Sequence, residues 1–534
     1  MPVILYSKPP KRWPKNASRY CVAASSITLN INIPKVENLS LRLEKCFEKI
    51  RNIWWKIGTK LAQLPSGKLA HMPSCSTYAS DFGQMLAWVT LAKELSQDPE
   101  TTIIICPDPW LFRAIADLNN VTADKVPRLL ITSIQYWIRG FASRLKLVVR
   151  LMSATLRCRS TIKNHDMAQR VLLVYPHPES RHDGYDSYFG NRMLFDQNLY
   201  RLLHTNGTLQ QTLYLTKHNR TASLHAWGNF LWLPNLLFTR WELPFGHLNL
   251  PHPWLIKRAV HIEASGASAA ANLWQIKCQN AWINARERTV IVWPWENHPW
   301  ERELTQKALK KGIKTVGYQH TVVGPHMYNQ SPNANHNGIA SLPDTIISNG
   351  PSYTADLVHF GVPMKRLKIG GSYRQKFSGE IAFDPNGPIF VGLSNNPKFS
   401  EEMLRAIRQY SRSSNKLFLI KSHPMYPYHI DPSPSMRSTE NPIGSDGGIS
   451  ALIFCTGTIG LEGLLNGIPT IRFQPEGFVA MNILPTGIEV VSVDAKQLSS
   501  ALNSLSKKQQ YINKKVFSKI KESVWCEALE FEST

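Results

Sequence analysis

The chain has 534 residues, 43% apolar and 19% charged, which excludes a disordered segment, a coiled coil, a collagen-like repeat and a disulfide-stapled miniature. Sixty-one Lys and Arg against 38 Asp and Glu leave a formal net charge of +23, which points to an anionic partner: a phosphate-bearing substrate, a membrane surface or nucleic acid. No two of the eight cysteines are close enough for a zinc-ligand pair, and several end apolar runs, as expected of buried thiols in a reducing cytosol. The apolar run that opens the chain is too short for a secretion signal, and no later uncharged apolar run is long enough to span a bilayer.

Residues 1–100 are basic and contain prolines. Helical spacing predicts helices over 39–64 and 82–95, but the fold of this N-terminal region stays unclear. From residue 101 the pattern changes to short Val/Ile/Leu runs bounded by Gly, Pro or Asn. They fall at 102–106, 171–175, 209–215, 289–293, 315–319, 345–348, 389–393, 417–421, 451–455, 470–473 and 490–493. Such runs are typical of strands buried on both faces of a parallel sheet. Helical patterns at 300–311, 401–410 and 459–466 lie between them, so the chain reads as α/β with too many strands for one open sheet. Two Rossmann-like domains are expected, over 101–349 and 350–505, followed by a C-terminal helix over 506–534.

Residues 125–164 stand apart as a basic amphipathic helical insertion. No Asp or Glu occurs from Lys125 to Asn164, whereas Arg139, Arg144, Lys146, Arg150 and Arg157 are among its cations. Leu130, Ile134, Trp137, Ile138, Phe141, Leu145, Val148, Val149, Met152 and Leu156 recur at helical spacing and form one unbroken stripe. A core helix would bury that stripe and solvate its basic face. An ordinary surface helix mixes charge signs, so a helix lying in an anionic membrane interface is the expectation.

Polar residues gather where the apolar runs end. After 171–175 comes a loop with His177, Glu179, Asp183 and Asp186, which reads first as an ordinary polar loop. The run 289–293 leads into Trp-Pro-Trp-Glu296-Asn-His298-Pro-Trp-Glu301-Arg302, and 315–319 ends at His320. A carboxylate at a strand end among tryptophans suits a base or nucleophile, since apolar neighbours raise its pKa toward working pH; the plainer role is a helix cap. Glu301 reads as a helix-start residue favoured by the dipole. Further on, Ser394 and Asn395 follow 389–393, and 417–421 ends in Lys421-Ser422-His423-Pro424, at the sheet edge where open α/β folds bind ligands. The run 451–455 enters Thr456-Gly457-Thr458, then a helix with Glu462 one turn in, stopped by Gly467 before Ile-Pro. Free amides and hydroxyls at such a turn favour a phosphate.

The stretch Thr456-Gly457-Thr458, Glu462 and Gly467-Ile-Pro resembles the donor-phosphate element of GT-B glycosyltransferases. Lys421-Ser-His-Pro resembles the His-Pro motif of bacterial sialyl-, polysialyl- and Kdo-transferases, whose His contacts the CMP phosphate. Trp-Glu-Asn-His-Pro-Trp-Glu-Arg and Gly-Tyr-Gln-His resemble a pattern of bacterial surface-carbohydrate biosynthesis proteins. Asp183-Gly184 is similar to the acidic-acidic-Gly motif of polysialyltransferases, although His182 stands where that motif has an acid. The resemblance covers roughly 170–495 and implies a GT-B-like fold of two Rossmann-like domains facing across a cleft. It implies a C-terminal domain that holds a nucleotide sugar through Ser394, Asn395, Lys421, Ser422, His423, Thr456, Gly457, Thr458 and Glu462. Arg374 and Arg472 would face the donor's carboxylate. The N-terminal domain would hold the acceptor, with Glu296 as general base or as nucleophile of a double displacement. His320 would orient Glu296 or protonate a leaving group, and Asp183 and Asp186 are alternative acids.

The implied donor is a CMP-activated ulosonic acid (Kdo, sialic-like or pseudaminic-like), and the implied acceptor a surface polysaccharide or lipid-linked glycan. An NDP-hexose transferase or nucleotide-sugar 2-epimerase of the same fold is the alternative. No metal or cofactor is expected, since no HxxxH, carboxylate triplet, Walker A or strand-borne GxGxxG occurs. A basic nucleic-acid-binding protein would fit the charge, but no RNP, helix-turn-helix or zinc pattern is present, and no nucleic-acid partner is expected. The expected location is cytoplasmic, peripheral on the inner face of the membrane.

Overall fold

A computed structural model describes residues 2–25, 29, 31–243, 249–374, 381–423, 426–505, 512 and 515–530. Three parallel sheets organise them. The first runs Arg19–Val22, Thr102–Ile105, Val3–Tyr6, Val121–Ala123. Thr102–Ile105, grouped on sequence with the strands after it, therefore pairs instead with two strands of the N-terminal region. Those two escaped detection because they are four residues long and lie in Pro- and Lys-rich sequence. The helix expected over 39–64 is broken at Ile50 into Leu39–Lys49 and Arg51–Ala62. Phe82–Leu95 is helical as expected.

The second sheet has seven strands in the order Leu367–Ile369, Thr345–Ser348, Lys314–Gln319, Val290–Pro294, Arg170–Val174, Leu199–Leu203, Thr221–Ser223. It continues past residue 350 through its edge strand Leu367–Ile369, paired with Thr345–Ser348. Residues 209–215, expected as a strand, form the helix Leu209–Leu215, because Thr208 caps it by accepting the Gln211 amide. The third sheet has six strands in the order Met436–Ser438, Phe418–Lys421, Ile389–Gly392, Ala451–Phe454, Thr470–Phe473, Val491–Val493. Every neighbouring pair in these two sheets is parallel. The expected α/β arrangement of two Rossmann-like units is thus the one found, with a third, smaller parallel unit at the N-terminus.

Both large sheets reverse their strand order once. In the second the reversal lies between Arg170–Val174 and Val290–Pro294, and in the third between Ile389–Gly392 and Ala451–Phe454. A crevice opens at such a switch point beyond the carboxyl ends of the strands. The chain end then returns to the second sheet. Trp525, on the helix Glu522–Leu529, is buried against Phe189, Tyr318 and Tyr373. Of the helix expected over 506–534, residues 506–511, 513–514 and 531–534 lie outside the described residues. In the rest, helix occupies only Glu522–Leu529.

The helix Leu130–Cys158 turns its apolar stripe outward. Leu130, Ile134, Trp137, Ile138, Leu145, Val149, Met152 and Leu156 are exposed, Trp137 by 55%. The inward face consists of Gly140, Arg144, Leu147, Leu151, Ala154, Thr155 and Cys158. A Cβ on Gly140 would lie 2.0 Å from the Ala264 carbonyl oxygen, so glycine permits this close approach. Arg144, counted on sequence among the surface cations, is buried and donates to the carbonyls of Leu237 and Ala264 at 2.8 Å each. Among the described residues no helix is long and apolar enough to cross a membrane.

Candidate active site

The switch point of the third sheet opens into a cleft of about 740 Å³. Lys421, Ser422, His423, Thr456, Gly457, Thr458 and Glu462 line it from one side, and His177, Glu179 and Arg374 from the other. Ser394, buried, bonds the Thr456 hydroxyl at 2.9 Å and so ties the two strands that flank the crevice. Gly457 has φ +149°, which side chains rarely adopt, and a Cβ there would meet nothing within 4 Å. Its backbone is therefore bare toward the cleft. Lys421 donates to the Asn441 carbonyl at 3.0 Å, and Ser422 spends its hydroxyl on the backbone of Tyr428. Burial lowers the pKa of His423, which keeps its ring neutral near pH 7. Pro424 of the His-Pro pair lies outside the described residues.

Two expected donor residues sit elsewhere. Asn395 lines a neighbouring cavity of about 340 Å³ that meets the cleft at Thr456. Arg472 is buried, 2.9 Å from Glu44 of the N-terminal unit, and also donates to the Ala480 carbonyl. The sequence marks Arg472 only as a cation at a strand, and its partner Glu44 stands 428 residues away. Glu44, Glu48 and His326 are the group among the described residues that could hold a metal ion. Arg472 already occupies the charge of Glu44 there.

Glu296 and His298 follow Val290–Pro294 at the other switch point. Glu301 builds their turn: its buried carboxylate accepts Trp293 Nε1 at 2.9 Å and the amides of Glu296 and Asn297 at 3.2 and 3.0 Å. Asn297 takes φ +59°, and Asn329 donates to the Glu296 carbonyl at 2.7 Å. Burial raises the Glu301 carboxyl to about 7. Glu301, read as a helix-start residue, thus holds the turn from beneath. The turn brings His298 Nε2 to 2.7 Å from Glu296 Oε2, while His320 Nε2 lies 3.7 Å from the other oxygen. Burial alone would raise the Glu296 carboxyl, but the His298 hydrogen bond and the charges of His298, His320 and Arg374 bring it down to about 2. The expectation of a raised pKa is therefore overturned, because the carboxylate's nearest polar neighbour is an imidazole rather than the tryptophans. Burial lowers His298, yet Glu296 outweighs it and the net direction is upward. Burial lowers His320 to about 4, so it is neutral near pH 7.

Asp183 and Asp186 are not brought beside Glu296 as bases. Asp183 is surface-exposed and caps its own loop, accepting the Tyr185 amide and Arg181 Nε at 3.0 Å each. Asp186 is buried, lies 3.7 Å from Arg201 and accepts the Tyr188 amide at 2.9 Å. Its role in the fold is to hold Tyr188, whose ring packs edge-on against His320 and lies 5.1 Å under the Arg374 guanidinium.

Sequence reasoning missed His298 as a member of the site, although it stands in the quoted motif. It also missed Tyr78. That side chain is 50% exposed, toward the small cavity that it lines with Asp81, Gln84, Asn395 and Thr456. Burial of its hydroxyl, with the Glu296 charge next, raises its pKa. Tyr78 comes from the N-terminal unit, which closes this end of the cleft. Trp88 Nε1 anchors that unit on the Gly477 carbonyl at 3.1 Å, and Trp55 Nε1 anchors it on Tyr328 at 3.0 Å.

No family model matches the chain. No curated protein matches it either. Among solved structures, the glycosyltransferase of kitacinnamycin is similar at 12% identity and TM-score 0.36, over 62% of this chain and 89% of that one. The lipopolysaccharide outer core galactosyltransferase WaaB is similar at 8% identity and TM-score 0.34, over 68% and 94%. UDP-GlcNAc 2-epimerase of Methanocaldococcus jannaschii, in complex with UDP-GlcNAc and UDP, is similar at 9% identity and TM-score 0.36, over 64% and 95%. None of these likenesses assigns a residue or a substrate to this chain.

Proposed function

We propose that the chain is a metal-independent glycosyltransferase that moves a sugar from a nucleotide donor on the third sheet to an acceptor hydroxyl at the second. The observation that carries this reading is the pairing of two switch-point crevices. One presents His423 and the Thr456–Thr458 turn, the other the Glu296–His298 pair, and Arg374 stands between them. In the reaction the acceptor hydroxyl gives its proton to His298 Nδ1, and its oxygen attacks the anomeric carbon. The bond from that carbon to the phosphate oxygen breaks, leaving its electrons on the nucleotide phosphate among His423, Thr456 and Thr458. Glu296 accepts from Nε2 and stabilises the imidazolium. This replaces Glu296 as the direct base, since a carboxylate held down to about 2 binds a proton poorly.

The donor is a CMP-activated ulosonic acid. Its support is the Lys421-Ser422-His423 motif together with Arg374, the expected donor-side arginine that lines the cleft, as partner for the donor's carboxylate. A second cavity that reaches His298 favours transfer over 2-epimerisation, which needs no acceptor. The chain works as a peripheral protein on the inner face of the cytoplasmic membrane, supported by the outward stripe of Leu130–Cys158 and its lack of acids. Thermal shift with CMP, UDP and GDP at equal concentration tests the donor. CMP should raise Tm most, and His423→Ala should remove the difference. Equal shifts from UDP would overturn the CMP assignment, and no shift from any nucleotide would overturn transfer itself.

A further inference from the structure

A cavity of about 690 Å³ opens between the helices Leu130–Cys158 and Ser268–Ala285 and the carboxyl ends of Arg170–Val174 and Leu199–Leu203. That volume lies within the ~300–1,000 Å³ range of small-molecule sites. His298 and the side chains of Tyr175, Trp274 and Trp300 are among the residues that line it. Lys146 and Arg150, both exposed, line its wall on the basic helix, and Val149 between them belongs to the outward apolar stripe. The cavity therefore begins where the stripe ends. Its lining thus brings together a residue of the apolar stripe, two cations, three aromatic side chains and the imidazole bonded to Glu296.

We propose that this cavity binds the head of a membrane-embedded, phosphate-linked lipid glycan, the acceptor of the transfer. The inference rests on the transferase reading above and names its acceptor class. The lipid tail stays in the bilayer beside Trp137, Ile138 and Leu145. The phosphate sits between Lys146 and Arg150, where no carboxylate competes over the whole of 125–164. A sugar ring packs its C–H face on the aromatic lining and brings a hydroxyl to His298. A soluble anionic glycan would use the two cations but would leave the stripe, exposed along most of the helix, without a partner.

The test uses the full chain and vesicles of phosphatidylcholine carrying a few mole per cent of polyprenyl phosphate, or the same fraction of phosphatidylglycerol. Flotation should be on the order of tenfold tighter with polyprenyl phosphate than with phosphatidylglycerol at matched charge. The double variant Lys146→Glu, Arg150→Glu should lose that advantage. Trp137→Ser with Ile138→Ser should weaken binding to both vesicles. Ala271→Phe, which narrows the cavity from the opposite helix, should lose the preference while its general attachment to anionic vesicles persists. The CMP-induced Tm shift is read on every variant. If it is present throughout while polyprenyl phosphate and phosphatidylglycerol bind alike, the cavity proposal fails and the transferase reading stands. If a tail-free glycosyl phosphate competes away all binding to polyprenyl phosphate vesicles, the acceptor is soluble and the proposal is likewise overturned. Absence of the nucleotide shift in the parent chain sinks the transferase reading instead.

Discussion

Replacing Glu296 by Gln keeps the side chain's shape and removes its charge. In the parent chain the carboxylate lies 2.7 Å from His298 and 3.7 Å from His320, with about a third of its surface open, 32%, against 25% for His298. A hydrogen bond to a charged group contributes about 1.5–3 kcal/mol, which for the imidazolium is roughly one to two pH units. His298 is raised by this bond, so a reaction that needs the neutral ring gains rate as pH rises through that raised value. Glu296→Gln should therefore move the acid limb of kcat/KM toward lower pH by roughly one to two units. Its plateau should fall by at least ~100-fold, the lower end for a damaged acid–base step. The CMP-induced Tm shift should persist. The assay is a pH series of initial rates with a CMP-sugar and a glycan acceptor. An unmoved limb with near-normal turnover would refute the pair and make Glu296 a turn residue. A sugar adduct on Glu296, seen by intact-mass spectrometry with donor alone, would refute His298 as the base by making Glu296 the nucleophile.

Other outcomes follow from the same geometry. Arg472→Met takes the guanidinium away from the buried Glu44 carboxylate and leaves it only the Gln474 amide and His326, so denaturant unfolding should report a loss of up to about 3–5 kcal/mol with the nucleotide shift retained. A lost shift at unchanged stability would return Arg472 to the donor site. Gly457→Ala puts a Cβ on a strained backbone facing the cleft, which should cost about 1–3 kcal/mol and weaken nucleotide binding in the thermal-shift assay. Trp525→Ala empties a fully buried site on the returning helix and should cost about 3–5 kcal/mol in denaturant unfolding.

The pattern of residues alone determined the α/β class and most strands of the two large sheets, because a strand buried on both faces must be apolar along its whole length. It also determined that polar residues after those strands gather at the sheet edges, which is why Glu296, His320, His423 and Thr456 were legible as candidates. The short strands Val3–Tyr6 and Arg19–Val22 carry too little pattern to read, and only their pairing with Thr102–Ile105 defines the first sheet. In Leu130–Cys158 the stripe was plain, but not which face turns inward. That was decided by the contact of Gly140 with Ala264 and by the carbonyls that satisfy Arg144. The same holds for charge. A carboxylate's type and strand position are local, but its pKa depends on which group the turn brings to it, and Asn297 in a left-handed conformation brings His298. Arg472 was legible as a cation at a strand, and only the fold delivers Glu44 to it. Local pattern sets what a segment can form, whereas hydrogen bonding, burial and field depend on atoms that sequence distance does not order.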